Sequence, residues 1–159
     1  MQKHMADPSL SLHLEAILAR EFQRGKNRIH ITGTASPALT ALLLSHACSS
    51  NVNNLPHIVV VDSFAEAERL QKSIRFFDSH GNALVLRTFD VSPYSGLDPN
   101  RKYIMERLRF LFAAQNALPG QIFIAPIQAL MQLTLPYTVL RKFSSTIKTG
   151  DDVPANLSQ

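Results

Sequence analysis

Four short runs rich in β-branched or aliphatic residues constrain this chain more than any other feature. They are Arg28–Thr32 (RIHIT), His57–Val61 (HIVVV), Ala83–Leu86 (ALVL) and Gln121–Ala125 (QIFIA). Segments with helical spacing alternate with them. Ser9 or Ser11 is placed to cap a first helix that runs to about Gln23. Leu10, Leu14, Ile17, Leu18 and Glu21 recur along it, and Gly25 is positioned to stop it. Ser36 precedes Pro37, whose missing N–H costs nothing at a first helical position, so a second helix is expected to about Cys48. Asp62-Ser63 opens a third, with Ala67, Leu70, Ile74 and Phe77 as its buried stripe and Glu66, Glu68 and Lys72 outward. His80-Gly81-Asn82 is read as its stop. Thr88–Asn100 is a connector containing two prolines. Asn100 caps a fourth helix with the stripe Ile104, Leu108, Leu111 and Phe112, and Pro126 starts a short fifth. After Pro136 the chain reads as extended. Strands joined by crossover helices run parallel. The expected fold is therefore α/β, an open and mostly parallel sheet with helices on both faces. A run as uniformly apolar as HIVVV is expected to be covered on both faces.

With 159 residues, 45% hydrophobic and 18% charged, the chain is expected to form one domain. No apolar stretch approaches the ~18 residues of a membrane span. The start, MQKHMADPSLSL, lacks a secretory core, so a cytoplasmic location is expected. A single cysteine, Cys48, excludes a disulfide framework and a multi-cysteine zinc site. The net charge of +4 is modest. Basic residues gather at 20–28, 101–109 and 141–148. Arg101, Lys102 and Arg109 share an outer helix face that suits contact with nucleic acid or another domain, whereas Arg107 points elsewhere. Ordinary solvated helix faces account for the same residues.

Catalytic constellations are sparse. Histidines at 4, 13, 30, 46, 57 and 80 form no i, i+4 or HxH pair, so no metal site is expected, and His30 and His57 read as structural. Cys48 reads as a small hydrophobe, Asp90 and Asp98 as turn formers, and Asp62 as a helix start. There is no GxSxG. The turn after the first strand, Gly33 to Thr40 (GTASPALT), parallels the phosphate loop G-x-x-x-x-G-K-[ST] in shape. Gly33 and Thr40 match its ends, but Ala38 replaces the second glycine and Leu39 the lysine. Backbone wrapping of phosphate needs the glycines, and the phosphate charge needs the lysine. The turn reads as a degenerate P-loop remnant or as an ordinary strand-to-helix turn. No catalytic, cofactor or metal residue is assigned.

Four segments in order resemble the N-terminal region of the bacterial transcription-repair coupling factor family, Mfd. They are Asp62–Phe77 (DSFAEAERLQKSIRFF), Pro93–Gln115 (PYSGLDPNRKYIMERLRFLFAAQ), Ile122–Pro136 (IFIAPIQALMQLTLP) and Leu140–Val153 (LRKFSSTIKTGDDV). The resemblance implies a degenerate RecA-like domain, comparable to domain 1a of the excision-repair helicase UvrB. Leu39 then stands where UvrB carries its P-loop lysine. It implies a domain without nucleotide or other cofactor and without a small-molecule substrate. Its partners would be other domains of its own chain, with RNA polymerase, UvrA and DNA engaged by the parent ATP-dependent translocase. The UvrA surface of the family lies chiefly in the following domain. UvrB's damage-clamping hairpin has no counterpart, because the connector 88–100 holds only Phe89 and Tyr94 as aromatics.

The expected layout is a disordered lead-in over 1–8, the α/β domain over 9–140, and an extended segment over 141–159 leading to a next domain. Two other functions stay open: a nucleotide-binding P-loop enzyme domain with an atypical loop, and a free-standing basic DNA-binding module.

Overall fold

The computed structural model describes residues 16, 20, 31, 36–49, 55–78, 83–92, 94–145 and 149–150. Its elements are α1 (Pro37–Ser49), β1 (His57–Val61), α2 (Phe64–Phe77), β2 (Ala83–Val85), α3 (Arg101–Gln115), β3 (Ile122–Pro126), α4 (Ile127–Leu130) and α5 (Tyr137–Phe143). The sheet order is β1-β3-β2, and both pairings are parallel. Ile124 of β3 stands opposite Val59 on one side and Val85 on the other. Bonds beyond the strand ends lengthen the ladders: His57 N–H donates to the Gln121 carbonyl at 2.8 Å, and Leu86 N–H to the Ile124 carbonyl at 2.8 Å.

The strand order dictates where the helices go. The connection from β1 to β2 passes over β3, and the connection from β2 to β3 comes back. Right-handed crossovers that travel in opposite directions lie on opposite faces. Accordingly α1 and α2 cover one face, where Ala41, Ala67, Leu70 and Ile74 pack with Ile122 and Ile124. On the other face, Phe110 of α3 and Ala129 of α4 pack with Phe123, Ala125 and Leu86. The rings of Phe110 and Phe123 meet edge to face, 5.4 Å apart. The expected open parallel sheet with helices on both faces is thus present.

Local chemistry fixes the boundaries. Ser63 caps α2: its hydroxyl accepts the Glu66 N–H at 3.2 Å, while the Glu66 carboxylate accepts the Asp62 N–H at 3.3 Å. Asn100 caps α3 by accepting the Lys102 N–H at 2.9 Å. Gly120, at φ 71°, makes the left-handed turn into β3 that a β-branched residue would adopt only under strain.

Four expectations need correction. Residues 137–143, expected to be extended, form α5, which crosses the 140/141 boundary. Val139 and Leu140 N–H groups bond to the Pro136 carbonyl, and burial of Leu140 outweighs the β-branched character of Thr138 and Val139. Strand β1 is not covered on both faces: Val59 and Val61 pack inward, but Ile58 and Val60 are 74% and 57% exposed. Phe77 is exposed, so the buried stripe of α2 ends at Ile74. In α3 the deepest residues are Arg107 and Phe110, with Ile104, Leu108, Leu111 and Phe112 only half-buried. Of the strand expected at 28–32 only Ile31 is described, exposed and in no strand, and the stop at 80–82 lies outside the described residues. So does the first helix except Ala16 and Arg20, which are helical and exposed. Residues 1–8 and 151–159 lie outside them too.

Truncation of a strand residue buried on the α2 face tests the core. Ile124→Ala should cost about 2–5 kcal/mol. The check is the urea midpoint, followed by circular dichroism.

Candidate functional site

Ligands of parallel α/β sheets gather at the carboxyl ends of the strands. Here those ends are Val61-Asp62-Ser63 after β1, Leu86–Phe89 after β2 and Pro126-Ile127 after β3. Two arginines dominate the region. Arg87 leaves β2 and lies between two aromatic rings, its guanidinium carbon 4.2 Å from the ring centre of Phe64 and 4.0 Å from that of Tyr103. Its Nε is buried without a hydrogen-bond partner and lies 3.7 Å from Glu106 Oε2, an ion-pair distance longer than a hydrogen bond. Lys102 approaches the other Glu106 oxygen at 4.0 Å. Stacking on the two rings is what holds this guanidinium.

Arg107 is only 3% exposed. Its Nη1 donates to the Arg87 carbonyl at 2.6 Å and to Gln132 Oε1 at 3.3 Å, and its Nη2 donates to the Ala129 carbonyl at 3.3 Å. The guanidinium lies 4.5 Å over Phe89. Gln132 Oε1 also accepts the Phe89 N–H at 2.9 Å. No carboxylate takes part in these contacts; carbonyl dipoles and one ring face solvate the cation. Burial pushes the Arg107 pKa below its ordinary value. The result is a knot that ties α3 to the segment after β2 and to the segment after β3. A further bond, from Asn100 N–H to Asp90 Oδ1 at 3.2 Å, closes the connector into a loop that carries Tyr94 and Leu97 exposed at its outer end.

The residues singled out in the sequence are spread over the molecule. Gly33 lies outside the described residues, as do 34 and 35. Ala38 is exposed, and Leu39 and Thr40 are half-buried within the first turn of α1. Thr40 Oγ1 donates to the Ser36 carbonyl at 3.4 Å. Arg101, Lys102 and Arg109 are exposed on α3, more than sixty residues further along the chain than Thr40. Of the basic group at 141–148, Arg141 and Lys142 are exposed and 146–148 lie outside the described residues. Among the described residues no group of histidine, cysteine and carboxylate side chains is arranged to hold a metal ion, and no helix is long and apolar enough to cross a membrane.

The aromatic-arginine cluster was missed in the sequence, although one signal was there. Tyr103, Arg107 and Phe110 repeat at i, i+4 and i+7, which puts an arginine on a buried stripe. Arg87 gave no comparable signal, because its aromatic partners come from two other elements. Replacing Arg107 by Met keeps much of the volume but takes the Arg107 donor from the Arg87 carbonyl, while the Ala129 carbonyl still accepts the Gln132 N–H at 3.3 Å. An unmet buried acceptor costs about 1–3 kcal/mol, so Arg107→Met should lose roughly 2 kcal/mol. A urea titration of the variant measures this, and Arg109→Met, on the exposed side, should change little.

No family model matches the chain, and no solved structure does. A curated relative, the transcription-repair-coupling factor of Haemophilus influenzae, is 32% identical over 121 residues, or 76% of this chain. The match covers 10% of that relative, so the chain spans about a tenth of its length. Four ordered segments resembling the family, an α/β sheet of the expected kind and an alignment across three quarters of the sequence converge: over most of its length this domain is similar to about a tenth of a transcription-repair-coupling factor.

Proposed function

We propose that the chain is a non-catalytic structural and interaction domain at the start of a transcription-repair coupling factor, comparable to domain 1a of UvrB. Its parent would be an ATP-dependent DNA translocase that displaces stalled RNA polymerase and brings in excision repair through UvrA. Similarity to one tenth of a coupling factor is the observation that carries this reading. The chemistry of the sequence supports it, since Leu39 and Ala38 occupy the positions where phosphate binding needs lysine and glycine. The carboxyl edge of the sheet supports it as well. There the cations Arg87 and Arg107 are engaged by rings, carbonyls and Glu106 of the same chain. On this reading the domain takes no cofactor and no small-molecule substrate. Arg101, Lys102 and Arg109 serve contact with DNA or a neighbouring domain.

Isothermal calorimetry with ATP and magnesium tests it. A lost lysine removes a charge-assisted bond worth about 1.5–3 kcal/mol, before the missing glycine is counted. We expect no saturable binding at millimolar nucleotide and no hydrolysis. Saturable binding that disappears in Thr40→Ala would instead favour the nucleotide-binding enzyme domain.

A further inference from the structure

Between α3 and α5 lies an apolar groove of about 390 Å³, lined by Leu111, Ala114, Gln115, Leu135, Tyr137 and Leu140. Leu135 and Tyr137 are exposed along it although both are large and apolar. The segment leading into it continues the theme, with Met131 and Leu133 projecting into solvent. The stretch of chain that supplies most of the groove carries charge of one sign. From Arg107 to Gly150 the sequence contains Arg107, Arg109, Arg141, Lys142 and Lys148, and no Asp or Glu. A surface kept soluble by charge usually mixes both signs. Arg107 is buried and engaged, so it adds little to the outer field. Arg141 is exposed and follows Tyr137 by one helical turn, which puts it on the groove side of α5. Lys142, the next residue, is exposed beside the Phe143 ring at 5.6 Å.

We propose that this groove docks an acidic amphipathic peptide segment of a protein partner. A large apolar side chain would seat between α3 and α5, and neighbouring carboxylates would face Arg141. Charge complementarity selects this occupant. A basic or neutral peptide would find no carboxylate to pair with in the whole 107–150 stretch. Nucleic acid is matched less well, because the lining is mostly aliphatic and offers one ring, Tyr137, where strand binding uses successive stacking platforms. The peptide segment accounts for both the apolar lining and the exposed Arg141 on the groove side of α5. The proposal stands on the groove and its charges, and does not depend on the family assignment.

Selection of a random dodecapeptide library on the intact chain, followed by fluorescence anisotropy of the enriched peptides, tests it. Enriched sequences should carry Leu or Phe flanked by Asp or Glu, and should bind less well as salt rises. Arg141→Glu and Leu135→Asp should each weaken binding about tenfold or more, the scale of losing a charge pair or a seated anchor. Both positions are exposed, so circular dichroism should be unchanged. Arg109→Glu, nearly opposite Leu111 around α3, should matter far less. Failure to enrich acidic sequences, or binding indifferent to both groove variants, would overturn the proposal. Displacement of the peptide from the groove by duplex DNA or by anionic phosphatidylserine vesicles at lower concentration would overturn it in favour of those partners.

Discussion

Strand β3 has little contact with water on either face, and both other described strands hydrogen-bond to it. Ile122 and Ile124 point toward α2, while Phe123 and Ala125 point toward α3 and α4. Its backbone pairs with β1 along five positions and with β2 along three. A strand in that position must be apolar at every residue, and IFIAP is. The consequence reaches past packing. Because β3 lies between strands that precede it in the chain, the two crossovers travel opposite ways, and the helices are forced onto opposite faces. The two apolar clusters therefore share one strand, and a change in it is felt in both.

Arginine chemistry organises the end of the sheet where ligands of parallel α/β domains usually gather. A guanidinium spreads its charge over a plane and is less strongly hydrated than an ammonium. That lets Arg107 be buried against three oxygen acceptors and the face of Phe89 with no carboxylate. Lysine could not reproduce this arrangement, since its donors diverge from one point and its solvation is harder to replace. Arg87 uses the other property of the group, its flat faces, between Phe64 and Tyr103. Together they hold the segment after β2 and the end of α4 against α3, adding polar contacts to the apolar cluster of Leu86, Phe110 and Ala129.

What could be read in the sequence follows from how local each signal is. Ser63 and Asn100 announce helix starts because a cap bonds two or three residues away. QIFIA announces a central strand because every residue in it is apolar. HIVVV gave the same signal yet leaves Ile58 and Val60 in solvent, since composition cannot tell a strand flanked on both sides from one at the margin of the described sheet. Helix α5 was hidden by Thr138 and Val139, whose preference for extended backbone is outweighed by the burial of Leu140. The arginine knot was hidden for a related reason. Its members at 64, 87, 89, 103, 107 and 132 are brought together only by the finished topology.

Parallel α/β domains of this kind do chemistry in two places, the glycine-rich turn after the first strand and the carboxyl edge of the sheet. In this chain the sequence at 33–40 has Leu39 where a P-loop has its lysine. At the second, two cations are held by stacking, carbonyl contacts and Glu106 within the chain. Large apolar side chains stand instead on the outer surfaces: Tyr94 and Leu97 on the closed connector, Ile58 and Val60 on β1, and Met131 through Tyr137 along the approach to the groove. Contiguous exposed apolar surface is uncommon on a domain that acts alone and is usual where another surface packs. The sheet is a rigid base that holds those side chains in fixed relation to one another, because both of its covered faces are anchored on the buried strand β3.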